Sequence, residues 1–146
     1  MSDSGKQFTI TRTFNAARGE VWRAWTDVGV AARWWHPAGM ETQPETVRID
    51  LREGGTFAYT MVDPDGIEYP WVGTYLELRP GERLRFTWGR DDVAADPLII
   101  TVDLTDAGTA QTTMTFHVDG VDGRPGDGEV YEGWDQAFGF LVRQLR

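Results

Sequence analysis

Few residues in this chain could carry out covalent chemistry. There is no cysteine, and the serines are Ser2 and Ser4 alone, next to the first residue. Thiolate catalysis, disulfides, cysteine-based metal sites and a serine triad are therefore excluded. The two histidines, His36 and His117, stand in no Asp/Glu/His spacing that resembles a zinc or two-carboxylate site, so no catalytic residue, metal or cofactor is assigned. His36 precedes Pro37 at the end of an expected helix, where a surface role outweighs that of a base at a cavity mouth. His117 alternates with Phe116 and should face away from the core. Asp119, Asp122, Asp127, Glu129 and Glu132 cluster among glycines, but they lack the one-three-five spacing of a calcium loop. Gly54-Gly55 leads into a strand rather than a helix, so it is no phosphate cradle.

What remains is a large aromatic and apolar set with a few polar atoms inside it. Alternation along the strands turns Phe57, Tyr59, Met61, Trp71, Tyr75, Leu84, Phe86, Trp88, Ile100, Met114 and Phe116 to one face. Trp34 and the helical residues Trp134, Phe138 and Leu141 are expected to meet that face. For any one of these residues, filling a core is the better explanation. As a set, a curved sheet against one helix is hard to fill, which predicts a ligand cavity. Three of its polar atoms could orient a ligand. The Tyr59 and Tyr75 hydroxyls need partners if buried. Arg12 stands among apolar residues of a strand, where it either reaches water or an acid, the favoured reading, or anchors a ligand carboxylate. With Glu77 and His36, these are the titratable candidates for any reaction in the cavity.

The elements that must position these residues can be read from period and punctuation. Phe8–Phe14 alternates as a strand. Asn15 is placed to cap a short helix through Thr26 with Val21, Trp22 and Trp25 inward, and Asp27 to cap a second over Val28–Trp35, which Pro37 stops. Strands follow over Thr46–Arg52, Thr56–Val62, Tyr69–Leu78, Arg83–Trp88, Leu98–Leu104 and Gln111–Val118. They are joined by turns at Gly54-Gly55, Asp63–Gly66, Arg79–Glu82 and Asp106–Gly108. Asp127 then caps a helix running to Arg146. Its apolar face is Val130, Trp134, Ala137, Phe138, Leu141 and Leu145. Strand, two small helices, six strands and one long helix make an α+β fold.

Composition sets the outer limits. At 146 residues and 40% hydrophobic, the chain is expected to be a single domain over residues 8–146 behind a flexible tail at 1–7. A net charge of −9 opposes nucleic acid and anionic membrane surfaces as partners. No apolar run reaches a membrane span and no signal-peptide core is seen, so a cytoplasmic protein is expected.

Several motifs, in order, carry a resemblance. Arg12-Thr13-Phe14 with Val21–Asp27, Arg33-Trp34-Trp35-His36-Pro37, Asp50–Phe57, Gly73-Thr74-Tyr75 and Gly133-Trp134 resemble the homologues of the activator of the heat-shock-protein-90 ATPase, within the START-like (SRPBCC) superfamily. His36 stands where that pattern has Gly, and Phe138 where it has Leu. The resemblance implies a helix-grip fold: a curved seven-stranded antiparallel sheet, ordered 1-7-6-5-4-3-2, around the last helix. The expected function is binding of a small apolar or amphipathic molecule in the cavity, by a monomer or homodimer. The alternatives are a chaperone-interacting protein and a cyclase- or aromatase-like enzyme using the same cavity.

Overall fold

The structure, a computed structural model, describes residues 6–92 and 96–145. Eight strands form one antiparallel sheet: β1 (Gln7–Phe14), β2 (Glu41–Thr42), β3 (Arg48–Ile49), β4 (Thr56–Val62), β5 (Glu68–Arg79), β6 (Arg83–Arg90), β7 (Leu98–Gly108) and β8 (Gln111–Asp119). Their order is β1-β8-β7-β6-β5-β4-β2, with β3 also paired to β4. The sheet curls as a half-barrel, and the α+β helix-grip architecture is the expected one. The hairpins form where the turn residues fall, except that β7, expected to end at Leu104, runs through Asp106–Gly108, and the last hairpin turns at Thr109-Ala110 with Ala110 at φ 53°. At the β4–β5 turn, for example, Asp63 accepts the backbone N–H groups of Asp65 and Ile67, and Gly66 takes φ 84°.

Several boundaries differ from expectation for local reasons. The strand expected over Thr46–Arg52 is split. Pro44 starts a 3-10 turn over Pro44–Thr46, and the Thr46 hydroxyl, not a backbone carbonyl, accepts the N–H of Thr60. Only the two-residue strands β2 and β3 flank this turn at the sheet edge, and Leu51 is left exposed. Asn15 caps nothing. Its side chain accepts a hydrogen bond from Gln111, and the first helix, α1, starts at Arg18 and ends at Thr26. The second helix, α2, covers only Val28–Ala31. Asp27 caps it by accepting from Gly29 and Val30, and this holds the Asp27 carboxyl below its usual range. Single turns carry the chain on to Trp35. At the N-terminus, Gln7 already pairs with Asp119, while residues 1–5 of the expected tail lie outside the described residues.

The last helix, α3, spans Val130–Gln144 and buries Trp134, Ala137, Phe138 and Leu141. Leu145 follows it half-buried, and Arg146 lies outside the described residues. Asp127, expected as its cap, is not at the cap position, which falls on Glu129; it serves the helix start from two residues upstream by accepting from the N–H groups of Glu129 and Glu132. Between α3 and the sheet sits an aromatic hub, Trp25 of α1. Its ring meets Trp34 edge-on at 4.6 Å and lies 6.1 Å from both Phe86 and Phe116, 5.8 Å from Trp134 and 6.2 Å from Phe138. Trp34 is fixed beside it by donating its indole N–H to the Ala24 carbonyl at 2.9 Å. The two short helices thus push two indoles into the middle of the grip.

Candidate functional site

That plug decides where space is left. The centre holds only a void of about 10 Å³, bordered by Trp25, Phe57, Tyr75 and Phe86 among others, which is room for about one water. A pocket of about 550 Å³ lies instead toward one end of the sheet, within the size range of small-molecule sites. Three strands, one segment and one helix wall it: Tyr59, Met61, Tyr69, Trp71 and Trp88 from β4, β5 and β6; Trp35, His36, Pro37 and Met40 from the segment after α2; and Glu129, Val130, Gly133, Trp134 and Ala137 from the start of α3.

The strand residues reach it through sheet periodicity. Tyr59 pairs with Trp71 across β4 and β5. Trp71 pairs with Arg90, so Trp88 is its diagonal neighbour on β6, and their rings stack 4.0 Å apart at 2°. The Arg90 guanidinium lies 5.8 Å from the Trp71 ring and 4.9 Å from that of Tyr69. It is held there by a two-pronged pair with Asp92 at 2.7 and 2.6 Å, which also holds the Asp92 carboxyl low. On the helix side, Gly133 brings bare backbone to the pocket. A β-carbon there would meet only the Pro37 ring, at 3.9 Å.

Polar atoms are few. Trp88 donates its indole N–H to the Tyr59 hydroxyl at 2.7 Å. Burial pushes the Tyr59 phenol well above its ordinary value, a rise the Trp88 bond only partly offsets, so it stays protonated through the neutral range. Tyr69 instead spends its O–H outward on Asp63 at 3.0 Å. His36 donates Nδ1–H to the Pro37 carbonyl at 3.2 Å and sits 4.9 Å from the Phe140 ring. Among the described residues no group of three or more His, Asp or Glu is arranged to hold a metal ion.

Of the residues expected to line a cavity, the structure brings Tyr59, Met61, Trp71, Trp88 and Trp134 together at the pocket. Phe57, Tyr75 and Phe86 border only the small void. Trp34, Ile100, Met114, Phe138 and Leu141 are buried in the packed core and touch neither. Burial first, and the Asp50 carboxylate second, push the Tyr75 phenol up as well. Arg12 stands outside the pocket. Its guanidinium pairs with Asp135 and donates to the Thr11 carbonyl at 2.9 Å, tying β1 to α3. Sequence reasoning missed Trp35, Pro37, Met40, Tyr69, Gly133 and Ala137. The loop residues have no period to reveal them, whereas Ala137 and Gly133 lie on or beside the helix face already identified.

Homology adds to this geometry. The model of the family described as "Activator of Hsp90 ATPase homolog 1-like protein" matches residues 15–146. The chain belongs to that family. No curated protein matches it. Among solved structures it is similar to protein CV1439 from Chromobacterium violaceum, 26% identical over 97% of both chains with a TM-score of 0.83. It is also similar to protein NE0264 from Nitrosomonas europaea, 23% identical over 99% of this chain and 96% of that one, TM-score 0.78. The fold extends to PFC0360w, an HSP90 activator from Plasmodium falciparum, 18% identical over 86% of this chain and 80% of that one, TM-score 0.62. Among the described residues no helix is long and apolar enough to cross a membrane.

Proposed function

We propose that this family member binds a small apolar or amphipathic molecule in the pocket between β4–β6 and the start of α3, without transforming it. One observation carries the reading: in an otherwise filled interior, about 550 Å³ stays open behind walls of Trp35, Trp71, Trp88, Trp134, Met40 and Met61. Burying apolar surface there stabilises a complex by ~25 cal/mol per Å² before the costs of association. Tyr59 is kept neutral by burial, so it orients a ligand rather than removing a proton from one.

The test is a thermal-shift screen of fatty acids, fatty alcohols and small aromatic compounds, with tryptophan emission as the second signal. Four of the seven tryptophans line the pocket, so a bound ligand must change emission. At a hundredfold excess over its dissociation constant, a ligand adds ~2.7 kcal/mol, a rise of roughly 5–10 °C for a chain of this size. Absence of both signals across the panel sinks the reading. A chaperone-directed role is the second reading, favoured by the family description and by the fold shared with the Plasmodium HSP90 activator. It predicts that the purified protein changes the ATPase rate of a heat-shock-protein-90 chaperone with the pocket empty.

A further inference from the structure

The buried hydrogen-bonding groups around the pocket are almost all donors. Trp88 already fills one lone pair of the Tyr59 oxygen, because an indole can only donate. The Tyr59 O–H itself has no acceptor among the described residues. The indole nitrogens of Trp35, Trp71 and Trp134, three further walls of the pocket, are covered from solvent and also lack a partner, as does that of Trp25 in the core behind them. Buried donors without acceptors are uncommon and unfavourable. Four around one pocket point to an acceptor supplied from outside the chain.

We propose that the ligand is a neutral, largely apolar molecule whose body matches a fused aromatic ring and which bears an accepting oxygen, such as a ketone, ester or lactone. This rests on the ligand-binding reading above and specifies its chemistry. The Tyr59 O–H is the principal donor to that oxygen, with the Trp71 or Trp134 indole as the second. Met40 and Met61, flexible side chains in the same wall, let the pocket adapt to the body of the ligand. A flat aromatic body is favoured because four of the walls are indoles, which pack against aromatic rings offset or edge-on. Charge argues for neutrality. Asp92 already occupies both prongs of Arg90, Arg12 is engaged by Asp135, and a net charge of −9 repels anions. Among the described residues that line the pocket there is no arginine or lysine to meet a carboxylate.

Three probes with one body separate the possibilities: 2-acetylnaphthalene, 2-ethylnaphthalene and 2-naphthoate, compared by equilibrium dialysis against the full chain. The ketone is expected to bind about tenfold tighter than the ethyl compound, although the ethyl compound is the more hydrophobic, and the carboxylate weakest. Tyr59→Phe should shrink the ketone-to-ethyl ratio at least about threefold. Trp71→Phe, at a half-buried position with the aromatic wall kept, gives a second measure of the same ratio should Tyr59→Phe unfold. Equal or tighter binding of 2-ethylnaphthalene, or tightest binding of 2-naphthoate, would refute the donor-lined reading while leaving a ligand pocket standing. Failure of all three probes to bind would refute this inference, and the pocket reading falls with it only if the wider panel above also gives no signal.

Discussion

Gly133 offers the most direct test of the pocket, because one substitution there should move two quantities in opposite directions. It lies in the second turn of α3, and a β-carbon built on it meets nothing nearer than Pro37 at 3.9 Å. Glycine inside a helix costs ~1 kcal/mol relative to alanine, and leucine is nearly as good a helix former as alanine. Gly133→Leu should therefore raise the melting temperature of the unliganded protein by roughly 2–4 °C, since the added side chain enters open space. That same side chain occupies the volume a ligand needs. The 5–10 °C shift expected of the parent with a saturating ligand should largely vanish. Differential scanning fluorimetry of parent, Gly133→Ala and Gly133→Leu, each with and without ligand, reads both effects. Gly133→Ala serves as the control that gains helix stability yet leaves most of the pocket free. A destabilised Gly133→Leu would mean that this face of α3 is already packed, and an undiminished ligand shift would place the ligand elsewhere. Either result refutes the geometry argued above.

Phe138 is fully buried against Trp25, Trp34, Phe116 and Trp134, so Phe138→Asp strands a charge in the core and should cost ~3–5 kcal/mol, a loss readable by urea denaturation. Gly73 pairs with Phe57, and a β-carbon on it would lie 2.0 Å from the Thr87 carbonyl oxygen and 2.3 Å from the Phe57 ring. Gly73→Ala should destabilise by ~1–3 kcal/mol in the same assay, and an unchanged midpoint would show that β5 and β6 part freely there. Alkaline stability should fall early. Tyr59 and Tyr75 have raised phenol values in the folded state, so above about pH 10 the unfolded chain releases protons that the folded one keeps. Their contribution is complete below that point and is lost as pH rises, with a slope approaching ~1.4 kcal/mol per pH unit for each phenol. Melting curves between pH 9 and 11.5 should show Tyr59→Phe with a shallower loss than the parent.

The sequence by itself determined a good deal of this architecture. Strict alternation in Phe57–Met61, Leu84–Trp88 and Met114–Phe116 assigned each strand's inner face, because a period of two leaves no other choice once one face is apolar. The spacing of Trp134, Ala137, Phe138 and Leu141 did the same for α3, and motif order led to the family. Boundaries were less legible where side chains replaced backbone partners. Thr46 accepting from Thr60, and Asn15 from Gln111, are long-range contacts that no local pattern carries. The choice between the two readings of Arg12 was of the same kind, since its partner, Asp135, lies 123 residues away.

The position of the cavity was a tertiary decision. Inward-facing residues look alike in sequence whether their rings are covered or left bare, and covering depends on what approaches from the other layer. Trp25 and Trp34 come down from α1 and the turn after α2 and close the middle of the grip over Phe86, Phe116 and Phe138. Ile100, Met114 and Leu141 thereby become core. Near the start of α3, Trp134 reaches across to Trp88 at 5.3 Å, but Gly133 and Ala137 beside it are too small to fill the gap toward Tyr59 and Trp71, and the space stays open.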